Sequence, residues 1–247
     1  MKRLTKTVQF HGERYYDLLA RDWELTEWTQ KQAQCVLDRI HNILDKLPAA
    51  VKQAHERIIG ERKVESKEKL LSLYEDDIHV IVRGKSGSEV EFGNGLYLAE
   101  QENGVIVDWE FFKEQPRSDS RIVKSSIERI AQKFGKPYSF TADRGFCSKE
   151  NSGFLKNENI FNGICPKSVP ELRGRLQDDE FVMYQKRRAQ TEGRIGIFKN
   201  VYLGVPFRCK GFQSREQLIS LSVFTHNLWT FGRMARDAAY EKEKKAA

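Results

Sequence analysis

Between Val105 and Asp143 the chain reads strand, helix, strand with both junctions punctuated, and few folds accept that order. Val105, Val107, Trp109 and Phe111 alternate along one face of a strand, with Ile106, Asp108, Glu110 and Phe112 on the other. Ser118 stands where it can cap a following helix. Val123, Ile127, Ile130 and Phe134 form that helix's apolar stripe, and Gly135 and Pro137 end it. Tyr138 to Asp143 is the next strand. A short strand–helix–strand link is a βαβ crossover, so Tyr138–Asp143 is predicted to lie parallel to an earlier strand. A second, shorter crossover runs from Ser148 through Leu155 to Ile160–Cys165.

The flanks read differently. Residues 1–70 are helical: Val36, Ile40, Ile43 and Leu47 share one face, Pro48 stops or restarts the helix, and Gly60 is the expected C-terminal cap. From Ile78 the period becomes strand-like, with Ile78–Val82 first and Phe92, Leu96 and Leu98 in a second run. Asn103-Gly104 predicts a tight type I′ hairpin before the third. After the crossovers come a basic loop, Lys167 to Arg175, and a helix from Asp179 to Lys199. A last helix starts at Ser214, with Gln217 in a possible capping box, and Leu218, Leu221, Phe224 and Leu228 as its buried stripe. The tail after Tyr240 is charged and expected to fray.

With 39% hydrophobic residues, 15 Phe and 4 Trp among 247, the chain can bury a sizeable core, which excludes intrinsic disorder. The 42 Lys and Arg against 35 Asp and Glu leave +7, which favours a polyanionic partner such as nucleic acid. No stretch has the length and apolarity of a membrane helix or signal core, so no membrane partner and a cytoplasmic, nucleoid-associated location are expected. Cys35, Cys147, Cys165 and Cys209 form no Cys-x-x-Cys pair, which argues for reduced, buried thiols rather than zinc or disulfides. Gly84-Lys85-Ser86 ends like a phosphate-binding loop, but the glycine required five positions earlier is His79, so it reads as a turn.

Two places carry chemistry. Asp143 ends the strand Tyr138–Ala142, and ligands of α/β sheets gather outside the carboxyl ends of parallel strands. An Asp there serves equally well as a turn cap. Arg188, Glu192 and Lys199 are spaced to share one helix face to within about 40°, two cations flanking one carboxylate. Tyr184, Ile195 and Phe198 accompany them, so this face is expected to pack on the sheet. A salt-bridged surface face is the plain alternative.

From about Lys69 to Arg236 the chain resembles the catalytic domain of bacterial insertion-sequence transposases of the DDE type. The resemblance lies in Ser72-Leu73-Tyr74-Glu75, in Arg83-Gly84-Lys85 with Glu91-Phe92-Gly93, and in Asp143-Arg144-Gly145-Phe146. Arg188-x3-Glu192-x6-Lys199 and His226-Asn227-Leu228 complete it. It implies an α/β chain with an RNase H-like mixed sheet flanked by helices and an N-terminal helical region. Residues 1–70 correspond to the family's helical insertion, 71–236 to a core lacking its first strand, and 237–247 to a charged tail. It further implies that Asp143 and Glu192 are the second and third catalytic carboxylates and ligands of Mg²⁺, with Mn²⁺ as substitute. Arg188, Lys199 and Arg144 would hold DNA phosphates, and a homodimer would form on transposon ends and target DNA. Two departures stand out: Gln185 occupies the tyrosine position of the family's signature, and no Asp-Thr dipeptide supplies the first acid. Asp108 is the one substitute on a strand, since Asp76 and Asp77 precede one. The implied activity is DNA cleavage and strand transfer by a chain that is incomplete and inactive alone. The alternative is a non-catalytic DNA-binding remnant or inhibitor of transposition.

Overall fold

Thr29 and Gln32 start the longest helix of the N-terminal half through a capping box: Gln32 Oε1 accepts from the Thr29 N–H at 2.8 Å, while Thr29 Oγ1 faces the Gln32 N–H. The computed structural model describes residues 2–65, 69–85, 88–114, 118–204 and 207–246. The chain is mixed α/β and 65% helical, and among the described residues three two-stranded sheets are small patches among helices. It divides into two compact units, Met1–Gly93 and Asn94–Ala247.

In the first unit α1 (Lys2–Asp22) and α2 (Gln30–Ile58) pair along their length. A Cβ on Gly12 would stand 2.8 Å from Leu44 Cδ2, so Leu44 of α2 packs directly over this glycine of α1. The buried residues of α2 are Ala33, Leu37 and Leu47; Val36, Ile40 and Ile43 are only half-buried. Pro48 lies inside α2 and does not interrupt it. Nor is Gly60 the left-handed cap: Glu61 takes that conformation (φ 48°). Strands β1 (His79–Lys85) and β2 (Ser88–Gly93) form an antiparallel hairpin. Ser86, in the turn expected there, lies outside the described residues.

The described residues of the second unit form two apolar cores. Strands β3 (Leu96–Glu100) and β4 (Ile106–Phe111) pair antiparallel with a bulge at Ala99/Glu100. Their connection is not type I′. Gly104 N–H donates to Gln101 O, Gln101 N–H donates to Val105 O, and only Gly104 is left-handed (φ 91°), the three-residue loop with a G1-type bulge. Ile106 joins Phe111, Leu96, Leu98 and Trp109 on the face packed against the last helix, although simple alternation placed it opposite. The other face, Tyr97, Asp108 and Glu110, meets α3 (Ile122–Phe134). Tyr97 Oη lies 2.9 Å from Ser126 Oγ, and burial pushes its hydroxyl up to about 12.

A 3-10 turn, Asp119–Arg121, precedes α3, and Ser118 makes no side-chain cap bond to it. Gly135 (φ 87°) ends α3, whose last residue, Phe134, is exposed rather than buried. Beyond it β5 (Ser139–Phe140) lies parallel to the later strand β6 (Phe161–Asn162), through α4 (Lys149–Asn157). The second crossover therefore forms as expected. The first does not: among the described residues β5 pairs with no earlier strand, and β3 and β5 each keep an open edge. Val123, Ile127, Phe140, Leu155, Ile160 and Ile164 are the core of this part.

The basic stretch expected as a loop is the short helix α5 (Val169–Arg175), capped by Ser168 with Pro170 in its first turn. Helix α6 (Asp179–Ile197) runs into a π-helical turn, Phe198–Leu203, and α7 (Phe212–Ala246) closes the chain. α7 starts before Ser214 and stays helical past Tyr240, where Lys244 and Lys245 oppose the helix dipole. Its buried face is the reverse of the expected one. Arg215, Ile219, Ser222, Val223, His226 and Thr230 are buried, whereas Leu221, Phe224 and Leu228 are exposed. Hydrogen bonding explains the inversion. Asn227 accepts from Ile106 N–H and donates to Ile106 O, both at 2.8 Å, as a neighbouring strand would. His226 Nε2 meets Gly104 O at 2.9 Å, and Ser222 Oγ donates to Tyr202 O at 3.0 Å. Buried backbone groups of the hairpin and π turn need such partners, and leucines cannot provide them.

Of the four free cysteines only Cys165 is buried, and Cys35 is exposed. Trp28 is likewise partly exposed rather than packed. Among the described residues no helix is long and apolar enough to cross a membrane.

Candidate functional site

At the carboxyl end of β5 the chain turns sharply. Asp143 Oδ1 accepts from Gly145 N–H at 2.8 Å and caps the 3-10 turn Arg144–Phe146, leaving Asp143 and Arg144 exposed. Buried Asn151 locks this turn to the one before α3, its Nδ2 donating to Ser120 O and Phe146 O, each at 2.8 Å. The lock brings a carboxylate that the sequence patterns did not flag against Asp143. A Cβ on Gly145 would stand 2.7 Å from Asp119 Oδ2 and 3.1 Å from Asp143 Oδ1, so a side chain there would push the Asp119 carboxylate aside. Asp119 is exposed as a residue, but its carboxyl is tucked over Gly145. That partial burial, with the Asp143 charge added, raises its pKa above the usual carboxylate value.

A raised folded-state pKa means that ionised Asp119 costs stability above that pKa, a cost relieved as pH falls through it. Asp119→Asn is accordingly expected to stabilise the fold at neutral pH by a few tenths of a kcal/mol, the scale of exposed charge pairs. The gain should vanish below about pH 3.9, where unfolded Asp is also protonated. Urea denaturation at several pH values checks this; a variant less stable at pH 7 would contradict it.

Asp178 starts α6 by accepting from Glu180 N–H at 3.0 Å and facing Phe181 N–H, and Phe181 is fully buried. Tyr184 packs on Phe161 at 5.2 Å, and Gln185 Nε2 donates to Gly163 O at 2.8 Å, tying the helix to the end of β6. Gln185 Oε1 accepts from Arg188 Nε at 3.2 Å, so the residue standing where the signature has tyrosine orients the arginine. Arg188 also pairs with Glu192 one turn on. Farther along, Thr191 Oγ1 and Arg194 Nη1 reach Glu100 Oε1 at 2.7 and 2.9 Å, anchoring the helix to the end of β3. Glu192 thus lies in the stretch of α6 that is anchored to β3, between Thr191 and Arg194. Its side chain is 63% exposed, so the triplet's face is not packed as expected, and Phe198 alone of its apolar companions is fully buried. Lys199 is half-buried in the π turn.

Asp108 is committed elsewhere. It is 3% exposed, and Arg129 grips both carboxylate oxygens, Nε to Oδ1 at 2.9 Å and Nη2 to Oδ2 at 2.8 Å. Nothing of it faces solvent where a substrate could reach. Arg175, from the basic stretch, also serves the fold: it stacks over Phe181 at 4.4 Å and donates to Asn162 O. Lys167 and Arg173 remain exposed.

Glu192 therefore pairs with Arg188 and Asp108 with Arg129, whereas Asp143 caps its own turn beside the like-charged Asp119. No hydrogen bond or ion pair joins Asp143, Glu192 or Asp108 to one another. Among the described residues no three His, Cys, Asp or Glu side chains come together as metal ligands. A two-metal centre needs such a set, so Asp143, Glu192 and Asp108 alone do not complete one. No family model, curated protein or solved structure matches the chain.

Proposed function

We propose that the chain is part of a DDE-type DNA transposase, built on an RNase H-like core that provides two of the three catalytic acids. One observation carries this reading most: Asp143 is exposed at the carboxyl end of a parallel strand, followed at once by exposed Arg144. The neighbouring strand anchors the helix that bears Arg188 and exposed Glu192. A strand end and an adjoining helix offering carboxylates beside cations suit a phosphodiester and a divalent ion. The two-stranded sheets β3–β4 and β5–β6 have open strand edges among the described residues, which supports a further element of the reading, an added strand that brings the missing acid. In this reading Mg²⁺ is the cofactor, DNA ends and target are the substrates, and two copies act together on DNA.

The test is nicking or joining of DNA in Mg²⁺ or Mn²⁺ by the chain completed with the acid-bearing strand that the reading requires. Activity is expected to disappear in Asp143→Ala; activity unchanged in that variant would overturn the assignment. A second reading, a DNA-binding chain without catalysis, is favoured by the lack of a three-ligand cluster among the described residues and by the Arg188–Glu192 pairing. It predicts no cleavage but binding that weakens steeply with salt. Arg144→Ala should then lower the salt slope by about one, the share of a single neutralised phosphate. Absence of any binding would remove both readings.

A further inference from the structure

The inverted helix α7 leaves an apolar face outside. Leu221, Phe224, Leu228 and Phe231 recur at three- and four-residue steps, and their exposures are 64, 65, 61 and 54%. Ala235 and Ala238 extend the seam. This is the spacing of a coiled-coil stripe, directly opposite the buried face of Ile219, Val223, His226 and Thr230. Four such side chains expose on the order of 500 Å² of apolar surface, the upper end for a monomer. We propose that this stripe is a homodimer interface, in which α7 pairs with α7 of a second copy.

Three features select a second copy as the occupant. The stripe is self-complementary, since every seam position from 221 to 231 is a large apolar side chain that an identical row can cover. Charge points the same way. The chain carries +7 overall, yet Gln217 to Gly232 contains no Lys, Arg, Asp or Glu, so two copies meet here without like-charge repulsion. Area agrees as well: two stripes together bury roughly 1,000 Å², the lower bound for a specific interface, which corresponds to a reversible dimer. Pairing also explains how α7 persists past Thr230. From Phe231 to Lys245 every residue is exposed, and a helix of that length without tertiary support is marginal in water.

The interface does not depend on DNA, so it is tested without it. Sedimentation velocity of the full chain from about 1 to about 100 µM, the range of a weak dimer, is expected to show a concentration-dependent shift from monomer to dimer. Phe224→Glu with Leu228→Lys should leave it monomeric throughout, with far-ultraviolet helicity lowered by no more than the unsupported segment after Thr230, because both substituted side chains are already exposed. Helix α1 offers a control, as Leu4, Val8, Tyr15 and Leu18 expose a second stripe. A wild-type chain monomeric at every concentration would overturn the proposal. So would a dimer that survives the double substitution, or one abolished only by Tyr15→Glu.

Discussion

Arg129→Met is expected to destabilise the second unit by about 3–5 kcal/mol, because it strands a buried carboxylate. The arginine holds both oxygens of Asp108 and reaches Glu110 Oε2 at 3.0 Å, and hydrogen bonding to Asp108 raises its own pKa further. Methionine keeps much of the apolar stem while removing the charge, so the loss reports the stranded acid rather than a cavity. The reverse deletion is predicted to be milder. In Asp108→Ala the guanidinium keeps Glu110 and is one-third exposed, so the cost should be about 1–2 kcal/mol. Urea denaturation of both variants measures the asymmetry. Equal losses would show that the pair is not held as described, and would return Asp108 to consideration as a substrate-facing acid.

Phe198→Ala is the second large effect, again about 3–5 kcal/mol, the range for emptying a buried aromatic site. Phe198 is 1% exposed and opens the π-helical turn, where it stacks with Tyr202 at 6.2 Å and meets His226 edge-on at 5.8 Å. It links the end of α6 to the buried side of α7, so its removal should loosen both. The neighbouring Ile197 is 55% exposed, and Ile197→Ala is expected to change stability by no more than about 0.5 kcal/mol. Thermal denaturation of the two adjacent variants should therefore separate by roughly 10 °C for a unit of this size. Similar melting temperatures would mean that the π turn is not packed as the fold requires.

The α7 inversion shows where sequence reading stops. Leu218, Leu221, Phe224 and Leu228 form the stronger hydrophobic pattern, and a pattern alone assigns them to the core. The structure buries the more polar face because His226 and Asn227 complete the hydrogen bonding of a hairpin more than a hundred residues earlier. No local signal announces that need. The site was legible to a similar degree. Asp143 at a strand end and the Arg188–Glu192 face were readable from punctuation and helical spacing. Asp119 was not, since it approaches Asp143 only through the Asn151 lock and the glycine at 145. Likewise Asp108 reads as available on its strand, and only the packing of Arg129 over it takes it out of reach.

What the sequence determined by itself were the elements that rest on local chemistry. The helical N-terminal region, the α4 crossover into β6, and the glycine that ends α3 follow from periodicity, capping and backbone freedom within a few residues. The tertiary structure alone decided which face of α7 is buried, which acid is neutralised, and that β5 joins β6 rather than an earlier strand. Those outcomes depend on whether buried backbone groups and charges find distant partners, and such partners are brought together only when the chain packs.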